Sequence, residues 1–557
     1  MILFITELLF SQTKPLNISP VQNNGILEFT SSNLPIVVIN TNGQEILNDH
    51  KITADLGIIY NGEGVRNNLT DPFNNYNGKI GIEIRGSSSQ SFPKKQYSVE
   101  TRDTLGNDLE VSLLGFPKES DWILFAPYND KSLMRDVLTY KLVSEMGHYT
   151  SRSKYCEVVL NNEYMGVYVL LEKIKRDNNR VDIKKLEPTD LTGDSVTGGY
   201  IIKIDKWDGE NNDGWNSSYL PYPQSSYPIY YQFHYPKPDE IAQEQKEYIK
   251  NKIFQFETVM AFSVNISDTA NGYPRFLDVN SFVDFFIVNE LSKNVDGYRL
   301  STYLYKDRDS RNPKIFAGPV WDFNLCFGNA DYYNGWLTDG WELEYLTEYE
   351  NIPAGESYLT PFWWRRLFDD ANYQNHVYAR WQNVKHSIFN TQHIFSIIDS
   401  LTTYLDEAKT RNFEKWPVLG VWVWPNYFVG QTYEQGISYL KMWIQERLNW
   451  MNLNMIGEAS NVSIDNQGEL EDFKLYQNYP NPFNPKTIIS WYSPSDGIQI
   501  LKIYDVLGKE VKTLVNEYLR RGFHSIDFVA DNISSGIYFY KIQCDNYTST
   551  GKMILNK

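Results

Sequence analysis

Cysteine is scarce in this chain: Cys156, Cys326 and Cys544 are the three among 557 residues. They are far apart and odd in number, which excludes a disulfide framework and any cysteine zinc motif of ordinary spacing. Histidine numbers seven, and none forms a metal-spaced pair with another His or with Glu, so a His-built metal-dependent hydrolase has little support. Basic charge is also short, with 52 Lys and Arg against 69 Asp and Glu, a net −17. No basic block is segregated, so a nonspecific grip on nucleic acid or anionic membrane is excluded. No apolar run reaches the roughly 18 residues of a membrane span, and no transmembrane segment is expected.

Aromatic residues are abundant instead. The chain holds 40 Tyr, 29 Phe and 15 Trp, 15% of its length, a content that favours strands and wet clefts. With 42% hydrophobic and 22% charged residues it can bury a large core, and its length implies two to four domains. Met1 to Phe10 is short and apolar and resembles the end of a secretory signal peptide, although it lacks a basic n-region and contains Glu7. The alternative for this segment is a buried strand.

Strand-like alternation marks Leu34 to Ile39 and Ile80 to Ile84. Between Asn129 and Met146, apolar residues at Leu133, Val137, Leu138, Leu142 and Met146 predict a helix, with Asn129 or Asp130 as N-cap and Gly147 as stop. Glu157 to Glu172 splits at Asn161-Asn162 into a hairpin. Residues 205–237, rich in Asp, Asn, Tyr and Pro, read as a long irregular excursion, a lid or surface loop. Helical patterns then dominate to Met455. The fold class expected for residues 33–455 is α+β, strands early and helices late. A polar linker follows over 456–471, and residues 472–557 carry short strands and turn signals that suggest a small all-β sandwich.

The tail is the more specific text. Leu475 to Pro485 (LYQNYPNPFNP), Leu501 to Val511 (LKIYDVLGKEV) and Gly536 to Lys541 (GIYFYK) resemble the type A C-terminal sorting domain of the type IX secretion system. Asp505 to Gly508 reads as a hairpin turn within it. An ordinary Ig-like accessory domain is the alternative. The resemblance implies an address without chemistry, a Sec-dependent first step with residues 1–13 as a signal-peptide remnant, a partnership with the type IX machinery, and export across the outer membrane to the surface or beyond.

The larger unit also carries a resemblance. Arg85 to Tyr97 (RGSSSQSFPKKQY), Asp121 to Leu124, Asp130 to Arg135, Gly166 to Lys173, Asn294 to Asp296 and Gly318 to Phe323 (GPVWDF) look like the CotH family of atypical protein kinases. The family implies a reduced protein-kinase-like fold that binds ATP with a divalent metal, Mg²⁺ or Mn²⁺, and phosphorylates hydroxyls of a protein acceptor. Phosphoryl transfer needs a phosphate cradle, a cation on the phosphates, carboxylates for metal and a carboxylate near the incoming hydroxyl.

Arg85, Ser87 and Ser88 lie in a small-residue turn able to face phosphate oxygens, or form a plain polar turn. In Lys95 to Glu100 alternation places Lys95, Tyr97 and Val99 on one face. Lys95 then points inward to pair with Glu172 at the end of an apolar strand, or is a solvated surface lysine. Arg135, on the inner helix face with Leu138 and Leu142, is a second cation candidate, or a tie to a loop carboxylate. Asp296 stands at a helix-to-strand junction, where it would accept a hydroxyl proton; the Asp-Gly dipeptide is equally a turn. Asp322, flanked by Trp321 and Phe323, invites a metal, or an arginine partner. Many members of the family carry Asp where this chain has Asn324, so the metal would meet one fewer negative charge, although an amide oxygen can still ligate. Beside the kinase reading stands another class: an idle secreted protein using the same cleft, and the Tyr-rich loop, for glycan or protein ligands.

Overall fold

The computed structural model describes residues 29–207, 213–458 and, with short interruptions, 473–556. The expected signal-peptide remnant and most of the expected linker lie outside the described residues.

The early strands are β1 (Ser31–Ser32), β2 (Ile36–Asn40), β3 (Ile52–Ile59), β4 (Asn67–Asn68), β5 (Tyr76–Arg85), β6 (Gln96–Arg102), β7 (Asp121–Phe125), β8 (Ser153–Leu160) and β9 (Glu163–Glu172). Seven of them close into a barrel in the order β2-β3-β5-β6-β7-β9-β8, sealed by parallel pairing of β2 with β8. Alternation explains the closure: Ile52, Ala54, Leu56 and Ile58 of β3 and Tyr97 and Val99 of β6 fill one interior. The β8–β9 hairpin turns at Asn161 and Asn162, both at positive φ (51° and 67°), the turn chemistry that Asn tolerates. Helix α1 (Arg135–Glu145) is shorter than its sequence pattern. Leu133 at φ 64° breaks the expected first turn, and Asp130 accepts the Arg135 N–H at 2.8 Å without being an N-cap.

Residues 205–237 depart from expectation. They contain β11 (Gly214–Asn216) and β12 (Tyr230–Tyr235), which join β10 (Tyr200–Ile204), β13 (Thr302–Lys306) and β14 (Ile315–Ala317) in a five-stranded sheet. Trp215, Tyr231 and Phe233 are core residues, so aromatic burial ties down a segment whose polar composition reads as loop. Behind this sheet lie α2 (Gln243–Phe262) and α3 (Val279–Ser292). Helix α3 is capped by Asp278, whose carboxylate accepts the Ser281 N–H, and it is buried on nearly every side, as suits a central helix. The later helices α4 (Glu342–Thr347), α5 (Phe362–Phe368), α6 (Ala371–Val384), α7 (Thr391–Tyr404), α8 (Asp406–Lys415) and α9 (Tyr433–Asn454) complete an α+β body.

The C-terminal residues form two antiparallel sheets. One holds β15 (Lys474–Leu475), β16 (Lys486–Ser493) and β19 (Gly522–Val529). The other holds β17 (Gly497–Tyr504), β18 (Glu510–Leu519), β20 (Gly536–Cys544) and β21 (Tyr547–Leu555). Both contribute to one core around Trp491, Leu501, Phe528 and Tyr540. The expected turn is present, with Asp505 Oδ1 accepting the N–H groups of Leu507 and Lys509 and Gly508 at φ 79°.

Candidate functional site

A cleft of about 940 Å³, measured to its open mouth, lies where the barrel meets the five-stranded sheet. Each wall comes from a different element. Strand β5 ends at Arg85 and turns through Gly86 into a short 3-10 segment, Ser88–Ser91. Gly86 sits at φ 97°, and a Cβ there would meet Ser89 Oγ at 2.0 Å, so the tightness of this turn requires glycine. Arg85, Gly86, Ser87, Ser88 and Ser89 all line the cleft.

Opposite stand Asp296 and Asp322. Helix α3 stops at Lys293, left-handed at φ 48°, and the chain turns so that Asp296 reaches the cleft. Asp296 Oδ1 accepts from Arg299 Nη2 at 3.1 Å, and Arg299 is itself fixed by the carbonyls of Val295 and Tyr358. Asp322 follows β14 and adopts φ 64°, a strained conformation for a residue with a side chain. Its N–H donates to Tyr140 Oη at 3.2 Å, and the next N–H, of Phe323, donates to Asp136 Oδ1 at 2.7 Å. Helix α1 therefore holds the Asp322 backbone in place. Asn324 also lines the cleft.

Like charge crowds this wall. Asp136, Asp205, Asp296 and Asp322 line the cleft, while Arg85 and Lys206 are its lining cations. Burial, then the carboxylates of Asp296 and Asp205, push the Asp322 carboxyl up to about 6. Burial raises Asp205 as well, and burial with the nearby Asp322 raises Asp136 well above the carboxylate range. Aromatic rings frame the space: Trp321 lies near-parallel to Tyr140 at 6.3 Å, and Trp207 and Trp424 stand at the cleft 54% and 41% exposed.

The structure brings Arg85, Ser87, Ser88, Asp296, Asp322 and Asn324 together in one cleft. Three other residues singled out from the sequence are elsewhere. Lys95 does not pair with Glu172; it precedes β6, is half-buried, and its Nζ donates to the Gln90 carbonyl at 2.6 Å. The buried lysine is Lys94, which donates to the Val167 carbonyl and to Asn412 Oδ1. Glu172 is tied to Arg152 and Arg180, because Leu171 faces the cleft and the next residue of a strand must point the other way. Arg135 is a structural tie: its Nη1 meets Asp130 at 2.5 Å and its Nε donates to the Cys326 carbonyl.

The cleft also holds Asp136, Tyr140, Asp205 and Lys206, which lie outside the motifs of the sequence. The one available signal was Asp136 beside Arg135 with Tyr140 one turn on, a polar pair on a helix expected to be read by its apolar face.

Comparison with known proteins agrees with both parts of the chain. Residues 477–556 match the model of a secretion system C-terminal sorting domain, which marks the chain for export to the cell surface or beyond. Among the described residues no helix is long and apolar enough to cross a membrane. The inner spore coat protein H of Bacillus subtilis (strain 168) is 23% identical over 251 residues, 45% of this chain and 59% of that protein, so the chain spans little more than half of that relative's length. Residues 82–451, about two thirds of the chain, match the CotH kinase protein model, and the chain belongs to that family.

Proposed function

We propose that the chain is an exported phosphotransferase that takes ATP with Mg²⁺ or Mn²⁺ into this cleft and passes a phosphoryl group to a protein hydroxyl. The observation that carries the reading is the meeting, in one cleft, of the Arg85–Ser89 turn with Asp296 and Asp322. In this reading the barrel and the helical layer are the parts of a reduced protein-kinase-like fold, and the C-terminal module is an Ig-like sandwich that serves as an address.

Arg85 and the hydroxyls of Ser87 and Ser88 bind and orient phosphate oxygens. Asp322 and Asn324 hold the metal. The fit rests on Asp322 itself, a strained, crowded carboxylate whose ionised form is disfavoured until positive charge arrives. Among the described residues no three His, Cys, Asp or Glu side chains form a cage of their own. Mg²⁺ takes one or two carboxylates and completes its shell with phosphates and water. When bound, the metal supplies neutralisation of phosphate charge. Asp296, its Oδ1 oriented by Arg299, accepts the proton of the incoming hydroxyl.

A second reading, an idle exported binding protein, is favoured by the exposed rings of Trp207 and Trp424, which suit stacking on sugar or peptide faces. Two variants and two assays decide. Asp322→Ala should abolish metal-dependent ATP binding in calorimetric titration. Asp296→Asn should bind ATP nearly as the parent does while transfer falls by about 10²-fold to 10⁴-fold. A parent that binds no nucleotide with either metal would leave the binding-protein reading standing.

A further inference from the structure

Asp136 belongs to the acidic wall of the cleft and carries no ligand role in the reading above. It is the second residue of α1, 3% exposed, and it lines the same cleft as Asp322. Its two oxygens differ. Oδ1 accepts the Phe323 N–H at 2.7 Å and lies 3.4 Å from Tyr140 Oη. Oδ2 is buried with no hydrogen-bond partner among the described residues. A desolvated acceptor left unmet is unfavourable, and here the surrounding charge makes it worse, since Asp322 and Asp130 both repel the carboxylate. The adjacent guanidinium gives no relief, because Arg135 is committed to Asp130 and to the carbonyls of Cys326 and Phe327. A purely structural role for Asp136 explains one oxygen and leaves the other without cause.

We propose that Asp136 is a second carboxylate ligand of the divalent cation held by Asp322, with Oδ2 as the ligating oxygen. The assignment rests on the metal-dependent reading above and extends it to a residue on another element. It also restores the charge lost where Asn324 stands in this chain: Asp136 and Asp322 together offer the one or two carboxylates that Mg²⁺ takes beside phosphate oxygens. Asp136 on α1 and Asp322 in the 320–324 segment would hold the cation together, and α1 already holds that segment's backbone through Tyr140 and Asp136.

The test is titration of Mn²⁺ into the full chain with ATP present, for the parent, Asp136→Asn and Asp322→Asn. Asparagine keeps an Oδ1 for the Phe323 bond and removes the charge at Oδ2. Mn²⁺ affinity should fall at least tenfold in Asp136→Asn, while its metal-free melting temperature stays level or rises as repulsion from Asp322 is relieved. Asp136→Cys should shift preference toward Cd²⁺ over Mn²⁺ by about tenfold, since a thiolate ligand favours the softer ion. Mn²⁺ affinity of Asp136→Asn within twofold of the parent, with affinity lost in Asp322→Asn, would overturn the assignment and leave phosphotransfer intact. A parent that binds no metal with ATP would overturn both. If Asp136→Asn is too unstable to titrate, Asp136→Cys decides alone, and a Cd²⁺ to Mn²⁺ preference equal to the parent's refutes the ligand.

Discussion

Glu257 offers a stability prediction that needs no ligand. It lies in the second turn from the end of α2, 1% exposed, and its carboxyl meets Ser217 Oγ and Tyr231 Oη, each at 2.9 Å. Burial pushes it from 4.5 up to about 7, with the two hydroxyls only partly offsetting the loss of water. An acid raised on folding holds its proton longer in the folded chain than in the unfolded one. Its contribution is therefore fully present below about 4.5 and is lost as pH rises to about 7. At about 1.4 kcal/mol per pH unit, the loss amounts to about 3 kcal/mol. Glu257→Gln keeps the acceptor for Tyr231, supplies an amide for Ser217 and cannot ionise. Urea unfolding followed by tryptophan fluorescence between pH 4.5 and pH 8 measures the effect, because fourteen of the fifteen tryptophans precede residue 456. The difference in stability, variant minus parent, should move in the variant's favour by about 3 kcal/mol across that range. Parallel curves for the two proteins would refute the reasoning, since they would mean that Glu257 ionises equally in both states.

Glu290 tests the interior behind the catalytic candidates. Its buried carboxylate receives Tyr298 Oη, the N–H groups of Glu342 and Leu343, and Arg447, so Glu290→Ala should cost about 3–5 kcal/mol in urea unfolding by stranding the Arg447 charge. A loss under about 1 kcal/mol would mean that solvent reaches Arg447. Gly86→Ala should weaken ATP binding at least tenfold and lower the melting temperature by about a few degrees, because an L side chain at φ 97° strains the turn and the new Cβ displaces Ser89; unchanged binding would remove the turn from the site. A chain ending near Ser463 should fold but be retained in the periplasm, and its secretion at the full-length level would contradict the sorting role of 477–556.

Local chemistry was legible in the sequence, and long-range pairing was not. The Asn161-Asn162 and Asp505–Gly508 turns could be placed because turn residues act on their own backbone. The barrel could not, because its closure depends on β2 finding β8 in parallel, which no window of alternation records. The same limit divides the site. Arg85, Asp296 and Asp322 stand at element ends marked by motif, and they meet in the cleft. Lys95 and Glu172 part on side-chain direction: Lys95 precedes β6, where strand alternation does not yet hold, and the residue of β9 that faces the cleft is Leu171. Asp136 is hidden in the sequence because helical spacing puts Arg135, its neighbour, on the inner face, whereas both are buried. Residues 205–237 misled by composition, since their Pro and Asn content hid the run Tyr230–Tyr235 that pairs with β10.

The ladder that seals the barrel joins Ile36–Ile39 to Glu157–Leu160. Those partners are separated by nearly the whole of the barrel's own sequence, so neither can find the other until the intervening strands have been made and released. Contacts of such separation slow folding, because the chain must close a long loop before the pairing stabilises it. Until that pairing forms the barrel stays open, and the Arg85 turn, at the end of one of its strands, has no finished wall to stand on.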